Sequence, residues 1–250
     1  MVLVPTNGTG QAVLTSCATV GVLRVSSTNA NTVAAVPWKS MTFDSDKDVN
    51  IVANDVVNPN GLSANDMIVA YDAVDGSFCG WKNDGNGEWD ELSTVTTNGV
   101  TAVKADDAEL PRGNAFWLVR TNPDSRYFYL VGRYTGEDYE IEVAGGSESE
   151  PGFTLVANPT MFDVDLNSLV YAQGSPSAKD TIEVTDAAGY KTIYYRNAAN
   201  TEWGRTRTTV DTRGRIKREW EKGGNIPSGT GFWYNRRAEG AISIKFESSK

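Results

Sequence analysis

The sequence predicts an all-β protein: two tandem, internally duplicated β-sandwich units of jelly-roll-like architecture, with an extra strand at the N-terminus. Short segments rich in β-branched and aromatic residues alternate with turn signals such as Asp75-Gly76 and Asn98-Gly99. No capped amphipathic helix of normal length is visible, and at most short helical turns are expected after Val49 and Val164. An internal repeat sets the number of units at two.

The repeat is clearest in two segments that share the pattern Pro-x-Gly-x-small-Phe-Trp, Leu110–Trp117 and Ile226–Trp233. In each, a proline that presets φ and a glycine that tolerates positive φ lead into an aromatic strand. The spacing ahead of them also agrees, because Asp66 precedes Trp89 by 23 positions and Asp180 precedes Trp203 by the same 23. We therefore expect two units of about one hundred residues each, the usual size of a compact domain.

These patterns divide the chain into four parts. Residues 1–30 form an N-terminal strand segment outside the repeat, and residues 31–145 form the first β-sandwich unit. Residues 146–152 are small, acidic and free of apolar side chains, as linkers often are. The second β-sandwich unit then covers residues 153–250.

The N-terminal segment is apolar at both strand parities between residues 11 and 25, which predicts one long or two short strands that need cover on both faces. Two arrangements satisfy this need. The strand either packs at the edge of the first unit or is donated to a neighbouring subunit, where main-chain hydrogen bonds would complete an open sheet. The apolar residues expected to carry such a contact are Val13, Leu14, Val20, Val22 and Leu23.

Both units resemble a β-sandwich repeat found in large secreted and cell-surface bacterial proteins, and the second unit shows its motifs. The residues that carry the resemblance are Phe153–Pro159, Val164–Leu166, Trp203 and Ile226–Trp233. Such repeats typically read glycine-aromatic-x-leucine-valine-x-asparagine-proline, and later proline-x-glycine-x-glycine-phenylalanine. The first unit departs from this pattern, with Val36-Pro37-Trp38 at the asparagine-proline position. The resemblance implies a β-sandwich fold and a surface location, and it implies no catalytic residue.

Charge is distributed unevenly along a chain whose formal net charge is −9. The excess of acidic residues lies in the first half, whereas one segment of the second half is strongly basic. This segment is either a solvated basic loop or a surface that steers an acidic end of another copy into head-to-tail contact. The overall acidity argues against nucleic acid as a partner. The basic residues proposed for self-association are Arg205, Arg207, Arg213, Arg215, Lys217 and Arg218.

The composition removes most routes to catalysis. Histidine is absent, which excludes Ser-His-Asp and Cys-His chemistry and imidazole metal sites. No pair of carboxylates stands out among 32 acidic residues, so we expect a protein that is not an enzyme and that needs no organic cofactor. Cys17 and Cys79 would form a disulfide in an exported protein and would be small buried apolar residues in a cytosolic one.

A candidate calcium loop is formed by Asp44, Asp46 and Asp48, whose alternate spacing would bring several hard oxygens to one ion. The pattern is incomplete, because Val49 stands where such a loop needs glycine and Asp55 where it needs glutamate. A solvated acidic loop is therefore the favoured interpretation, although Asp163 and Asp165 lie in the corresponding part of the second unit.

The seven tryptophans divide into two groups. Four of them recur at equivalent repeat positions, Trp89 with Trp203 and Trp117 with Trp233, as core packing shared by similar units would produce. The other three, Trp38, Trp81 and Trp220, have no evident counterpart. They are the candidates for a ligand-binding face that stacks on sugar rings, or for a subunit contact.

These features together lead to one expected function and one alternative. The chain is expected to be a non-catalytic extracellular structural protein, the self-associating subunit of a filament or surface layer, with other copies of itself as partners. The alternative is a carbohydrate-binding or adhesive surface module. No apolar run approaches the roughly 20 residues that a membrane span requires. Met1–Pro5 shows no signal-peptide pattern, so we expect an export leader to be absent from this numbering.

Overall fold

The computed structural model describes most of the second half of the chain and shorter segments of the first half. The described residues are 19–27, 31–35, 50–52, 63–72, 77–86, 89–93, 101–104, 109–111, 115–121, 126–134, 136–160, 162–185 and 190–247. Within them the protein is all-β, as predicted, and the one helical element is a three-residue 3-10 turn at Leu166–Ser168.

The strands are numbered in chain order. Those in the first part of the chain are β1 (Thr19–Ser27), β2 (Asn31–Ala35), β3 (Asn50–Val52), β4 (Met67–Asp72), β5 (Ser77–Asn83), β6 (Trp89–Ser93), β7 (Thr101–Lys104), β8 (Glu109–Pro111), β9 (Ala115–Val119), β10 (Arg126–Tyr134) and β11 (Tyr139–Val143). Those that follow are β12 (Gly152–Ala157), β13 (Val164–Asp165), β14 (Val170–Gln173), β15 (Thr181–Thr185), β16 (Lys191–Arg196), β17 (Trp203–Val210), β18 (Ile216–Lys222), β19 (Asn225–Ile226), β20 (Gly231–Arg236) and β21 (Ile242–Phe246).

Two antiparallel six-stranded sheets form the framework, and their strand orders correspond. Sheet A has the order β2-β9-β4-β5-β6-β7, and sheet B has the order β12-β20-β15-β16-β17-β18. A short two-stranded ladder accompanies each sheet, β3–β8 for the first and β13–β19 for the second. The corresponding order is what the predicted internal repeat requires, and the repeat itself stays a prediction.

The N-terminal strand lies against its own chain. β1 pairs antiparallel with β10 over nine residue pairs, from Thr19 opposite Tyr134 to Ser27 opposite Arg126. The sequence left two arrangements open, packing on the first unit or donation to a neighbouring subunit. The pairing with β10 corresponds to the first of them. Val20, Val22 and Leu23 lie in β1, whereas Val13 and Leu14 lie outside the described residues.

The second half contains a core between two layers. Along β15, Ile182 and Val184 are buried while their neighbours are half-buried, the period of two that a sheet with one inward face produces. Phe232 and Tyr234 of β20 join them, and the three-stranded sheet β11-β21-β14 covers them from the other side. The most buried large side chains of this core are Trp203, Tyr234, Phe232, Leu166 and Ile182.

The boundary between the halves differs from the expected one. β11 lies inside the predicted first unit, yet it pairs with β21 and contributes Ile141 and Val143 to the second core. The expected linker at 146–152 is a tight turn between β11 and β12, in which the Ser147 N–H donates to the Glu150 carbonyl at 2.8 Å. A Cβ on Gly146 would lie 2.0 Å from the Gly152 nitrogen, so glycine here permits close backbone approach rather than flexibility.

The two six-stranded sheets contact each other through aromatic side chains. The Trp117 and Trp233 rings lie 5.4 Å apart, and Tyr71 packs against Trp233 at 5.1 Å. Ala115 of sheet A and Leu155 and Ala157 of sheet B form the small buried cluster beneath them. Trp117 and Trp233, which hold equivalent positions in the predicted repeat, therefore contact each other across the two sheets.

A buried aspartate organises each sheet at the turn before its third strand. Asp66 accepts hydrogen bonds from the Ser63 N–H and from the backbone and hydroxyl of Thr121, all between 2.8 and 2.9 Å. Its carboxylate also forms an ion pair with Arg120 at 3.8 Å, and both side chains are fully buried. Asp66 therefore joins the start of β4 to the end of β9.

Asp180 makes the corresponding contacts in sheet B. It accepts from the Ser177 N–H and from the Arg237 N–H, both at 2.8 Å. Arg236 donates to it at 3.1 Å and the Tyr234 hydroxyl at 3.0 Å, in a site where both ionic side chains are buried. Each half thus carries a buried Asp–Arg pair that fastens the third strand of its sheet to the second.

Burial of tyrosines in the second core predicts alkaline destabilisation. Burial raises the pKa of Tyr171 to about 12, and it raises the pKa of Tyr234 as well. Both pKa values exceed that of an unfolded tyrosine, near 10, so their stabilising contribution is complete below pH 10 and is lost above it.

We expect the free energy of unfolding to fall by about 3 kcal/mol between pH 10 and 11.5, about half of it from each tyrosine. Urea unfolding at several pH values would measure it. The slope should flatten in Tyr171→Phe and stay unchanged in Tyr190→Phe, whose side chain is 74% exposed. Equal slopes in Tyr171→Phe and the unmodified chain would contradict the assignment.

Candidate self-association site

The basic segment of the second half forms a projecting two-stranded arm, defined here as residues 205–221 of β17, β18 and the turn between them. β17 pairs with β18 from Gly204 opposite Lys222 to Val210 opposite Ile216. On its other side, β17 pairs with β16 only at Trp203 and Gly204. Beyond Gly204, therefore, neither edge of the arm is paired with another described strand.

The turn at the tip of the arm is held by Asp211. Its carboxylate accepts the Arg213 and Arg215 backbone N–H groups, each at 2.9 Å, and the Arg215 side chain at 2.8 Å. These bonds lower the pKa of Asp211, and the bond from the Arg215 backbone N–H has the largest effect. Gly214 supplies the positive φ of 75° that the turn needs. The tip is therefore a specific turn, with Arg215 engaged in holding it.

Two ion pairs lie at the base of the arm, and several other basic residues of the arm form no ion pair with a described residue. Arg205 donates to Glu221 at 2.7 Å, and Lys222 pairs with Glu202. The hydrogen bond from Arg205 lowers the pKa of Glu221, as expected for a carboxylate beside a cation. Four further cations of the arm make no ion pair with any described residue, namely Arg207, Arg213, Lys217 and Arg218.

The two faces of the arm differ in character. Alternation places Arg205 and Arg207 on one face, while Val210, Ile216 and Trp220 lie on the other. Those three apolar side chains are 66%, 71% and 43% exposed. Trp220 lies across Gly204, where an added Cβ would come within 2.5 Å of its ring. The arm therefore combines exposed apolar side chains with unneutralised positive charge, a composition typical of protein contact surfaces.

The structure separates the three tryptophans that were expected on a ligand face. Trp81 is only 5% exposed, so its ring is not available to stack on a sugar, which corrects that expectation. It faces Ile68 across β4 and β5 as Tyr194 faces Ile182 across β15 and β16, so it does have a counterpart. Trp220 is exposed on the arm, and Trp38 lies outside the described residues.

The expected metal and cysteine sites fall largely outside the described residues. Asp44, Asp46, Asp48 and Cys17 are not among them, and Cys79 lies in β5 opposite Ala70.

In the corresponding part of the second half, two aspartates bond to backbone groups. Asp163 accepts from the Ser228 N–H at 3.1 Å, and Asp165 accepts from the Asn167 N–H at 2.8 Å. No group of three or more potential metal ligands occurs among the described residues.

Two structural features were not predicted from the sequence. One is the pair of buried aspartates, whose signal is the shared Ser-Ala-x-Asp of Ser63–Asp66 and Ser177–Asp180 together with Arg120 and Arg236. The other is that the basic segment leaves the sheet as an arm.

In the part of the chain that the structure describes, no helix has the length and hydropathy required to cross a bilayer. Comparisons with protein-family models, with curated proteins and with solved structures found no match to this chain.

Proposed function

We propose that this protein is a non-catalytic structural subunit that associates with further copies of itself into a filament or surface layer outside the cell. The observation that carries the proposal is the arm, a basic hairpin that projects with both edges free of described strands and with three large apolar side chains exposed. The whole chain is rich in Thr, Asn, Gly and Ser and has few lysines. This composition is typical of exported surface proteins and supports the extracellular location.

An isolated two-stranded hairpin is only marginally stable in water, and it gains stability when a third strand or a surface covers it. Unpaired strand edges also present rows of N–H and C=O groups that template pairing with another chain. The arm has both properties. Burial of Val210 and Ile216, which are 66% and 71% exposed, would contribute about 1–2 kcal/mol for each side chain. A surface of this kind is suited to binding another protein.

Charge favours a second copy as that protein. Between Arg205 and Lys222 the chain has seven basic and three acidic residues, whereas the whole chain has a formal net charge of −9. The remainder of every copy is therefore strongly acidic and attracts the arm of another. Contact between an arm and a different part of the next copy is heterologous, and such contacts continue into a polymer unless the rotation closes a ring.

The proposal predicts that reversing charge on the arm prevents polymerisation. Arg207→Glu, Lys217→Glu and Arg218→Glu are expected together to reduce the polymer fraction in sedimentation velocity at least about tenfold, because like charges across an interface cost several kcal/mol. A matched control reverses Lys179, Arg237 and Lys245, which lie outside the arm. It changes the net charge equally and should still polymerise. Equal loss in both variants, or in neither, would contradict a specific role for the arm.

Carbohydrate binding stays a second candidate because one exposed face of sheet B is aromatic. Tyr195 pairs with Gly204, over which Trp220 lies, so both aromatic side chains are on that face. Both are more than 40% exposed. If the protein binds glycans there, tryptophan fluorescence should change on titration with a glycan panel, and the change should disappear in Trp220→Ala. No response across the panel would count against this candidate.

A further inference from the structure

We propose that the arm of one copy docks along β11 of the next copy, at the edge of the three-stranded sheet β11-β21-β14. The proposal rests on the function proposed above and names the acceptor surface for the arm. This surface is called the acidic edge and is defined as residues 136–150, which contain β11 and most of the tight turn that leads into β12. Every residue of the acidic edge is among those that the structure describes.

One edge of β11 is not covered by any described strand. β11 is the end strand of its sheet, and among the described strands it pairs only with β21. Ile141 and Val143 are buried in the second core, whereas Glu140 and Glu142 are exposed. A free strand edge presents N–H and C=O groups that can pair with another chain. The acidic edge is therefore suited to receive a strand from a second copy, as in β-strand addition.

The charge of the acidic edge has one sign. It contains six acidic residues and no basic residue, and all six acidic residues are exposed. Asp138 pairs with Lys245 at 2.7 Å, and Glu148 pairs with Lys179. Three others form no ion pair with a described residue, namely Glu140, Glu142 and Glu150. These carboxylates leave the acidic edge with negative charge that its own chain does not neutralise.

The arm has the opposite charge. Residues 205–218 contain six basic residues and one acidic residue, and all of them are described. The acidic residue, Asp211, is already engaged in holding the turn at the tip. Docking therefore places a segment of net charge +5 beside one of net charge −6. Opposite charges of this kind steer association and determine which surfaces meet.

The arm and the acidic edge lie at opposite sides of the second half. Sheet B begins with β12 and ends with β18. β11 lies beside β12, because the tight turn joins them and the Ala144 N–H donates to the Thr154 hydroxyl at 2.9 Å. Five interstrand spacings of about 4.8 Å separate β12 from β18, about 24 Å in all. Contact between the two surfaces therefore joins copies head to tail, and each added copy leaves one arm and one acidic edge for further growth.

Like charges disfavour the symmetric contacts. Two acidic edges repel each other, and so do two arms, so neither pairing favours a closed two-fold dimer. Charged side chains on edge strands commonly prevent such self-pairing in natural sheets. Glu140 and Glu142 therefore oppose the approach of another acidic edge while they attract an arm.

A complementation experiment tests the inference with two variants, each of which loses one surface. The arm-reversed variant carries Arg207→Glu, Lys217→Glu and Arg218→Glu, which changes the net charge of residues 205–218 from +5 to −1. The edge-reversed variant carries Glu140→Lys, Glu142→Lys and Glu150→Lys, which changes the acidic edge from −6 to zero. Each variant alone is expected to form at least about tenfold less polymer than the unmodified chain in sedimentation velocity at low salt.

An equimolar mixture of the two variants should form a one-to-one heterodimer. The edge-reversed variant retains its arm and the arm-reversed variant retains its acidic edge, so one contact forms. The two altered surfaces do not attract each other, and growth stops at the dimer. Attraction between whole molecules cannot produce it, because the formal net charges of the variants are −15 and −3. Since the dimer requires one intact surface from each variant, its formation also shows that both surfaces are folded.

The outcomes distinguish this inference from the proposed function. The inference is overturned if the edge-reversed variant polymerises as the unmodified chain does, or if the mixture stays monomeric while both variants are folded by circular dichroism. Both results leave the role of the arm intact. Normal polymerisation of the arm-reversed variant would instead overturn the proposed function. The neutral variant Glu140→Gln, Glu142→Gln, Glu150→Gln should weaken assembly less than the lysine variant, and an equal loss would contradict the electrostatic basis of the contact.

Discussion

Asp180→Ala is expected to lower the free energy of unfolding by about 3–5 kcal/mol, because it leaves the buried guanidinium of Arg236 without its carboxylate. The substitution also removes the acceptor of the Ser177 and Arg237 N–H groups and of the Tyr234 hydroxyl. Unpaired buried donors each cost free energy beyond the lost ion pair. Urea unfolding followed by far-UV circular dichroism would measure the effect.

Two control variants identify the cause of that loss. Asp180→Asn keeps an acceptor oxygen while removing the charge, so its destabilisation should be smaller than that of Asp180→Ala. Asp66→Ala, in the corresponding position of sheet A, should destabilise the protein by a comparable amount because Arg120 is equally buried. A loss below about 1 kcal/mol in Asp180→Ala, the size of one ordinary hydrogen bond, would show that the pair does not fasten β15 to β20.

Trp203→Ala is expected to cost about 3–5 kcal/mol, the usual loss for a large aromatic side chain removed from a core. Trp203 is 1% exposed, and it packs edge-on against Tyr234 with ring centroids 5.9 Å apart. Its indole N–H donates to the Tyr171 hydroxyl at 3.1 Å, and the Arg196 guanidinium lies 5.0 Å from the ring. The substitution therefore leaves a cavity and removes one hydrogen bond from the Tyr171 hydroxyl.

Trp220→Ala supplies the matched control for this prediction. It removes the same side chain from the arm, where 43% of the residue is exposed. We expect a loss of less than about 1 kcal/mol in unfolding, and a larger effect on self-association. Equal destabilisation by the two substitutions would contradict the distinction between a core tryptophan and a contact tryptophan.

The all-β class was predictable because its signals are local. Alternation of apolar side chains along β15, and turn glycines such as Gly85 with its positive φ of 86°, act within a few residues. The basic segment was also visible as a cluster of charge. That it projects as an arm depends on where β16 stops pairing with β17, which is a property of the folded sheet.

The sequence-based predictions that were wrong or incomplete also have physical causes. Residues 146–152 have the composition of a flexible linker, but their glycines serve close backbone approach, and composition does not distinguish the two uses. The counterpart of Trp81 is Tyr194, a different aromatic residue, so a search for matching tryptophans missed it. The buried role of Asp66 and Asp180 was missed because an aspartate before a strand also suits an exposed turn.

The central claim is that copies of this protein associate through charge-complementary surfaces that include the arm. Negative-stain electron microscopy of the unmodified chain across a salt series tests it most directly. We expect fibres or sheets at low ionic strength that loosen as salt screens the contact, since the screening length falls from about 30 Å at 0.01 M to about 3 Å at 1 M. Compact, monodisperse particles in every condition would contradict the claim.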